Sequence, residues 1–156
     1  MILRGEIVNR LLLEEGMILK PYKCPAGFLT IGVGRNLETN PLTPKELQRV
    51  GDVTKGITPD EAIFLLKNDI MRCQDELTKN ISWFYQLDDE RQYALLDMCF
   101  NMGIKKLLGF KKMLNAMFIG DWRGAAKECL NSKYALDVGK RAVRIARLIE
   151  TGVWVK

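Results

Sequence analysis

The feature that most constrains this chain is a stretch near its middle. Thr58-Pro59-Asp60-Glu61 reads as a capping box with proline at the first helical position. Beyond it Ile63, Leu66, Ile70, Cys73 and Leu77 step by 4, 3, 4 and 3, and no glycine or proline interrupts residues 60–80. The spacing predicts one helix of about 20 residues, roughly 30 Å long. A rod of that length cannot fold back on itself. It divides a 156-residue chain into a smaller N-terminal part and a larger C-terminal part.

The two parts differ in pattern. Residues 1–15 keep helical spacing through Ile2, Leu3, Ile7, Val8, Leu11 and Leu12, with Gly16 as the stop. Residues 17–34 carry the strand formers Tyr22, Phe28, Thr30, Ile31 and Val33, punctuated by Pro21, Pro25, Gly27, Gly32 and Gly34. That predicts short antiparallel strands with tight turns. Thr43-Pro44-Lys45-Glu46 is a second capping box, opening a short helix that stops near Gly51. After residue 80 the pattern is helical, with segments expected at about 88–103, 108–118, 121–131 and 137–149 and a turn at 132–136. The fold class expected is α+β, mainly α.

Composition excludes much chemistry. The chain has no histidine, which removes Ser-His-Asp and Cys-His pairs and imidazole acid–base catalysis. Carboxylates, thiols, lysines or tyrosines must then move protons near neutral pH. The four cysteines, at 24, 73, 99 and 129, lie at least 26 residues apart, so no paired metal or redox motif exists; reduced thiols, no metal and no cofactor are expected. Cys73, Cys99 and Cys129 fall on helical segments, whereas Cys24 falls in a turn and is the accessible one. Charge concentrates late: residues 105–156 hold 12 basic and 4 acidic groups, net +8, a face suited to an anionic partner. No RRM, zinc-finger or helix-turn-helix signature appears, so nucleic acid is not an expected partner. No apolar run is long enough to span a membrane, and residues 1–13 lack a signal-peptide core. The expected location is the cytoplasm where the chain is made, until another agent releases it.

Glu14-Glu15-Gly16 breaks a local rule, because two carboxylates in a last helical turn face the negative end of the helix dipole. From Glu15, eight residues intervene before Cys24 and five more before Thr30, inside Gly27-Phe28-Leu29-Thr30-Ile31-Gly32-Val33-Gly34. This arrangement resembles the catalytic region of the bacteriophage lysozymes, the endolysin muramidases, in the cysteine variant of their Glu-x8-Asp/Cys-x5-Thr motif. The resemblance continues at Thr58–Ala62, at Met98–Gly103, where Asp97 stands in place of a common Asn, at Gly109-Phe110 and Trp122, and at Thr151–Trp154.

The resemblance implies a single lysozyme-like domain over 1–156: a small N-terminal lobe of about 14–58 with a short antiparallel sheet, a connecting helix of about 58–80, and a helical lobe of about 80–156 joined by helix 1–13. It implies hydrolysis of the β-1,4 bond between N-acetylmuramic acid and N-acetylglucosamine in peptidoglycan, by a monomer that does not insert stably in membranes and acts at the periplasm or cell wall. Glu15 matches the general acid. Cys24 stands where an aspartate is commoner, and its thiolate has three open roles: base, electrostatic stabiliser or nucleophile. Lys20 and Lys23 are expected to favour that thiolate. Thr30 is implied to hold the attacking water; by itself it reads as a β-branched strand residue. Phe28, Gly32, Asn101 and Tyr134 are the implied substrate contacts. Arg141 is implied to pair with Glu15, Glu14 with Arg144, and Arg35 with Asp69, the last with a pH dependence set by the aspartate. Trp122 and Trp154 read as packing residues. The alternative is a relative that binds peptidoglycan without cleaving it.

Overall fold

The computed structural model describes residue 2 and residues 4–155; Leu3, assigned above to the first helix, lies outside the described residues with Met1 and Lys156. Helix α1 spans Arg4–Glu15, and strands β1 (Ile18–Lys23), β2 (Leu29–Gly32) and β3 (Arg35–Asn36) form one antiparallel sheet in the order β1-β2-β3. Helices α2 (Pro44–Val50) and α3 (Pro59–Asn80) follow. The rest is helical: α4 (Asp89–Met102), α5 (Ile104–Leu108), α6 (Lys111–Phe118), α7 (Trp122–Leu130), α8 (Lys133–Val138) and α9 (Lys140–Thr151). The fold is α+β and mainly α, as expected.

Both predicted capping boxes form. Thr43 and Glu46 exchange side-chain bonds with each other's backbone N–H groups at 2.9 and 3.2 Å, and Thr58 and Glu61 do so at 2.9 and 3.1 Å. Each satisfies donors that a helix start leaves open. The sheet register pairs Tyr22 with Thr30 and Lys23 with Leu29, with an irregularity between Ile18 and Tyr22. Pro21, which has no N–H to give a ladder, sits in that irregular stretch.

Contacts divide the chain into two compact units, Leu3–Met71 and Arg72–Lys156 with Met1–Ile2, and the division falls inside α3. In the first, Ile31, Val50, Ile57, Ala62 and Leu65 form a core covered by Met17, Leu19, Leu37, Leu42, Val53 and Phe64. In the second, α4 is buried continuously from Gln92 to Cys99, α7 packs on α6 and α9, and α9 also packs on α4 and α8. A helix covered on every side reads as apolar all round, which is why α4 shows little amphipathic period. Trp154 meets Tyr93 edge-on at 5.5 Å and Trp122 lies under Arg91 at 3.9 Å, consistent with packing roles.

Two expectations need correction. The helix expected at 108–118 begins at Lys111 as α6, and an additional helix, α5 at Ile104–Leu108, precedes it across Gly109-Phe110. The turn assigned to 132–136 is mostly helix: the Ser132 hydroxyl accepts from Ala135 N–H at 3.1 Å and starts α8. Gly139, at φ +58, then ends α8 and opens α9, a backbone setting that residues with a Cβ adopt reluctantly.

Candidate active site

Residues 14–36 build the site within the first unit. Glu15 is the last residue of α1, and the Gly16 N–H closes on the Leu12 carbonyl at 2.9 Å. The chain turns at once into β1. The hairpin from β1 to β2 is closed by Cys24 N–H to the Phe28 carbonyl at 2.9 Å and Gly27 N–H to the Cys24 carbonyl at 2.8 Å. Cys24 is thereby anchored at both of its backbone groups, and its side chain is half-buried.

Partial desolvation pushes the Cys24 thiol up. Hydrogen bonds from the backbone of Phe28 and Ala26, from the Thr30 side chain and from the backbone of Gly27 outweigh it, so the net shift is downward. The expectation that Lys20 and Lys23 would stabilise the thiolate is thus replaced: the turn itself and Thr30 do so. Thr30 is buried, and its hydroxyl also reaches the Phe28 carbonyl at 2.9 Å. One hydroxyl proton serves one acceptor at a time, and ionisation of the thiol draws it to sulfur.

Two further residues belong to this cluster. Tyr22 lies opposite Thr30 in the sheet, and its phenol is pushed up by desolvation, then by the charges of Glu15 and Cys24. Its place two residues before Cys24 and across from Thr30 was the available signal, masked by its reading as a strand former. The other is Gly34. A Cβ there would lie 2.8 Å from Glu15 Oε2 and 3.0 Å from its Cδ, and the backbone has φ +69. The absent side chain is what lets the Glu15 carboxyl lie against this turn. Gly32, the implied substrate contact, is instead buried, and a Cβ there would meet Ala62 and Ile57 at 3.5 and 3.6 Å. Gly34→Ala should therefore displace the Glu15 carboxyl. A loss of roughly tenfold in kcat is expected, since misplacement by about 1 Å costs up to about 10²-fold. Steady-state kinetics beside a thermal melt checks this; unchanged kcat would show that the Glu15 position is not critical.

Arg35 and Asp69 do meet, with Arg35 Nη1 donating to Asp69 Oδ1 at 3.1 Å. The structure adds a second carboxylate. Arg35 also forms a two-pronged pair with Glu46, Nη1 to Oε2 at 3.0 Å and Nη2 to Oε1 at 2.7 Å, and all three residues are buried. The guanidinium further donates to the Asn40 and Pro41 carbonyls, Asn40 bonds Asp69, and Asn68 bonds Glu46. Glu46 thus caps α2 and balances Arg35 at once, so the pH dependence is not the aspartate's alone. Burial pushes the Glu46 carboxyl up, but Arg35, Thr43 and Asn68 overcome this and hold it at about 2. A carboxylate depressed in the folded state stabilises above its ordinary range, and that stability drains as pH falls toward about 2. The melting temperature should fall over that window. Glu46→Gln should flatten the fall and cost about 3 kcal/mol at pH 7, the penalty of breaking a buried pair. Melts at several pH values test both.

The remaining implied residues belong to the second unit. Asn101 is exposed at the end of α4. Tyr134 is 8% exposed and packs edge-on to Phe110 at 6.1 Å, so most of its ring serves packing. Arg141 is buried, with Nε donating to Asp97 Oδ1 at 2.9 Å, and Tyr93 donates to the other Asp97 oxygen at 3.1 Å. Asp97, noted from sequence only as a departure from asparagine, is a charged partner of Arg141; its signal was an acid in an otherwise apolar helical run. Phe28 is 40% exposed at the hairpin tip, free to meet a ligand.

The end of α1 and the hairpin therefore present an acid, an ionisable thiol and a hydroxyl, a set suited to cleaving a glycosidic bond. The phage lysozyme family matches residues 13–148, and the chain belongs to it: it is a glycoside hydrolase of the lysozyme class. It is 31% identical over 162 residues to the probable T4-type lysozyme 1 of Dictyostelium discoideum, covering 95% of each chain. It is 29% identical over 154 residues to the pre-baseplate central spike protein Gp5 of Enterobacteria phage T4, covering 89% of this chain and 26% of that one. An endolysin of Acyrthosiphon pisum secondary endosymbiont phage 1 is 30% identical over 127 residues, 81% of this chain and 77% of its own.

Proposed function

We propose that this chain is an endolysin muramidase, a single domain over 1–156 that hydrolyses the β-1,4 bond between N-acetylmuramic acid and N-acetylglucosamine in peptidoglycan. The observation that supports it best is the clustering of Glu15, the Cys24 thiol and Thr30 in one compact unit of a phage lysozyme family member. Glu15 gives its proton to the glycosidic oxygen as the bond to the anomeric carbon breaks, and positive charge develops on the sugar. The Cys24 thiolate faces that charge. It either takes a proton from a water held by Thr30, or bonds the anomeric carbon and is displaced by water in a second step. Phe28, Asn101 and the exposed edge of Tyr134 contact the glycan, while the buried Gly32 backs the sheet. Arg35 and Asp69 support the sheet, and Arg141 is held by Asp97 within the helical unit.

Among the described residues no helix is long and apolar enough to cross a membrane. On this reading the protein reaches the wall when another agent opens the membrane. Turbidity loss of chloroform-treated Gram-negative cells tests hydrolysis. Borohydride reduction of the products tests the bond: muramitol ends support the proposal, whereas glucosaminitol ends or cut peptides refute it. Proton NMR of the first anomer separates the two thiolate roles, with inversion meaning water attack and retention meaning a sulfur-bound intermediate.

A further inference from the structure

We propose that Lys105, Lys106, Lys111 and Lys112 form a docking surface for the peptide-stem carboxylates of peptidoglycan, which rests on the reading of this chain as a peptidoglycan hydrolase. The four lysines fall within eight residues, Lys105–Lys112, and no acidic residue occurs between Asp97 and Asp121. All four are exposed, and among the described residues no carboxylate pairs with any of them. Four of the six arginines of the same unit behave differently: Arg72, Arg91, Arg123 and Arg141 each have a carboxylate at 2.9–4.0 Å.

Folding does not explain the placement. Lys111 and Lys112 open α6, whose first turn holds no acid and whose N-cap makes no side-chain bond, so both cations stand at the positive end of the helix dipole. A local choice that works against stability points to a use elsewhere. The surface continues from Asn101: α4 ends at Met102, Gly103 joins it to α5, and Lys105 and Lys106 lie in the last turn of α5, which packs on α4.

The kind of cation narrows the partner. Arginine reads one planar anion in a fixed fork, whereas lysine is a mobile, hydrated point charge that follows anions at variable positions. Peptide stems fit this, because their carboxylates are mobile and are tethered to the muramic acid residue itself. Any surface beside a glycan contact must meet them, which is not so for lipid phosphates or nucleic acid.

The test compares the full chain with a variant carrying Lys105→Gln, Lys106→Gln, Lys111→Gln and Lys112→Gln, and with the four corresponding Lys→Arg changes. Purified sacculi are used as isolated and after carbodiimide coupling to ammonia, which turns carboxylates into amides. Exposed ion pairs are individually weak, so losing four together should raise KM roughly tenfold with kcat little changed. The arginine variant should keep the original KM. On amidated sacculi the original chain should fall to the level of the glutamine variant. Raising ionic strength from about 0.01 M to about 0.15 M, which shortens screening from about 30 Å to about 8 Å, should narrow the gap. Equal KM values on native sacculi at low salt overturn the surface and leave the hydrolase reading intact. A gap that persists on amidated sacculi overturns the carboxylate partner in favour of another anion. Absence of sacculus cleavage by the original chain removes both readings.

Discussion

Glu15→Gln should abolish wall hydrolysis while leaving the fold intact. The amide keeps the size and shape of the carboxyl but has no proton acidic enough to give to a leaving oxygen, and general acid catalysis contributes about 10²–10⁴-fold. Glu15 ends α1, half-buried against the Gly34 turn, so the exchange leaves no cavity. Rates on sacculi beside thermal melts make the test. Retention of more than about a tenth of the rate would remove Glu15 from the acid role.

The second large effect concerns Cys24. A limiting amount of iodoacetamide should modify it first, since Cys73, Cys99 and Cys129 are buried while Cys24 is half-buried. Burial pushes the Cys129 thiol up to about 12, so its reactive thiolate is scarce at neutral pH, whereas the hairpin's hydrogen bonds lower that of Cys24. Activity should fall in step with Cys24 alkylation, followed by mass spectrometry. Cys24→Ser should lose most activity, because the same turn cannot make a hydroxyl anionic near neutral pH. Cys24→Asp should keep or raise it, and the pH–rate profile should lose the limb set by the titrating thiol. A fully alkylated Cys24 with unchanged hydrolysis would leave Glu15 and a water held by Thr30 to carry the reaction alone.

The pattern of residues carries much of this protein by itself. Helix α3, both capping boxes and the strand character of 17–34 follow from short-range physics: periodicity, proline at a helix start, and hydroxyl-to-glutamate reciprocity three residues apart. The spacing of Glu15, Cys24 and Thr30 is legible for a similar reason, since a hairpin ties spacing along the chain to proximity in space. What was illegible depends on partners far apart in the chain. Nothing local marks Glu46 as the second acid on Arg35, because its capping role already accounts for it. Nothing local says that Asp97 meets Arg141, 44 positions away. The additional helix α5 has no side-chain cap to announce it, and α8 starts on the Ser132 cap, which propensity weighs too lightly. The Cys24 thiol shows the limit most clearly. Sequence offered two lysines as the source of its acidity, but beside the Thr30 hydroxyl the decisive groups are backbone N–H donors, which every residue except proline possesses and only the folded turn can aim.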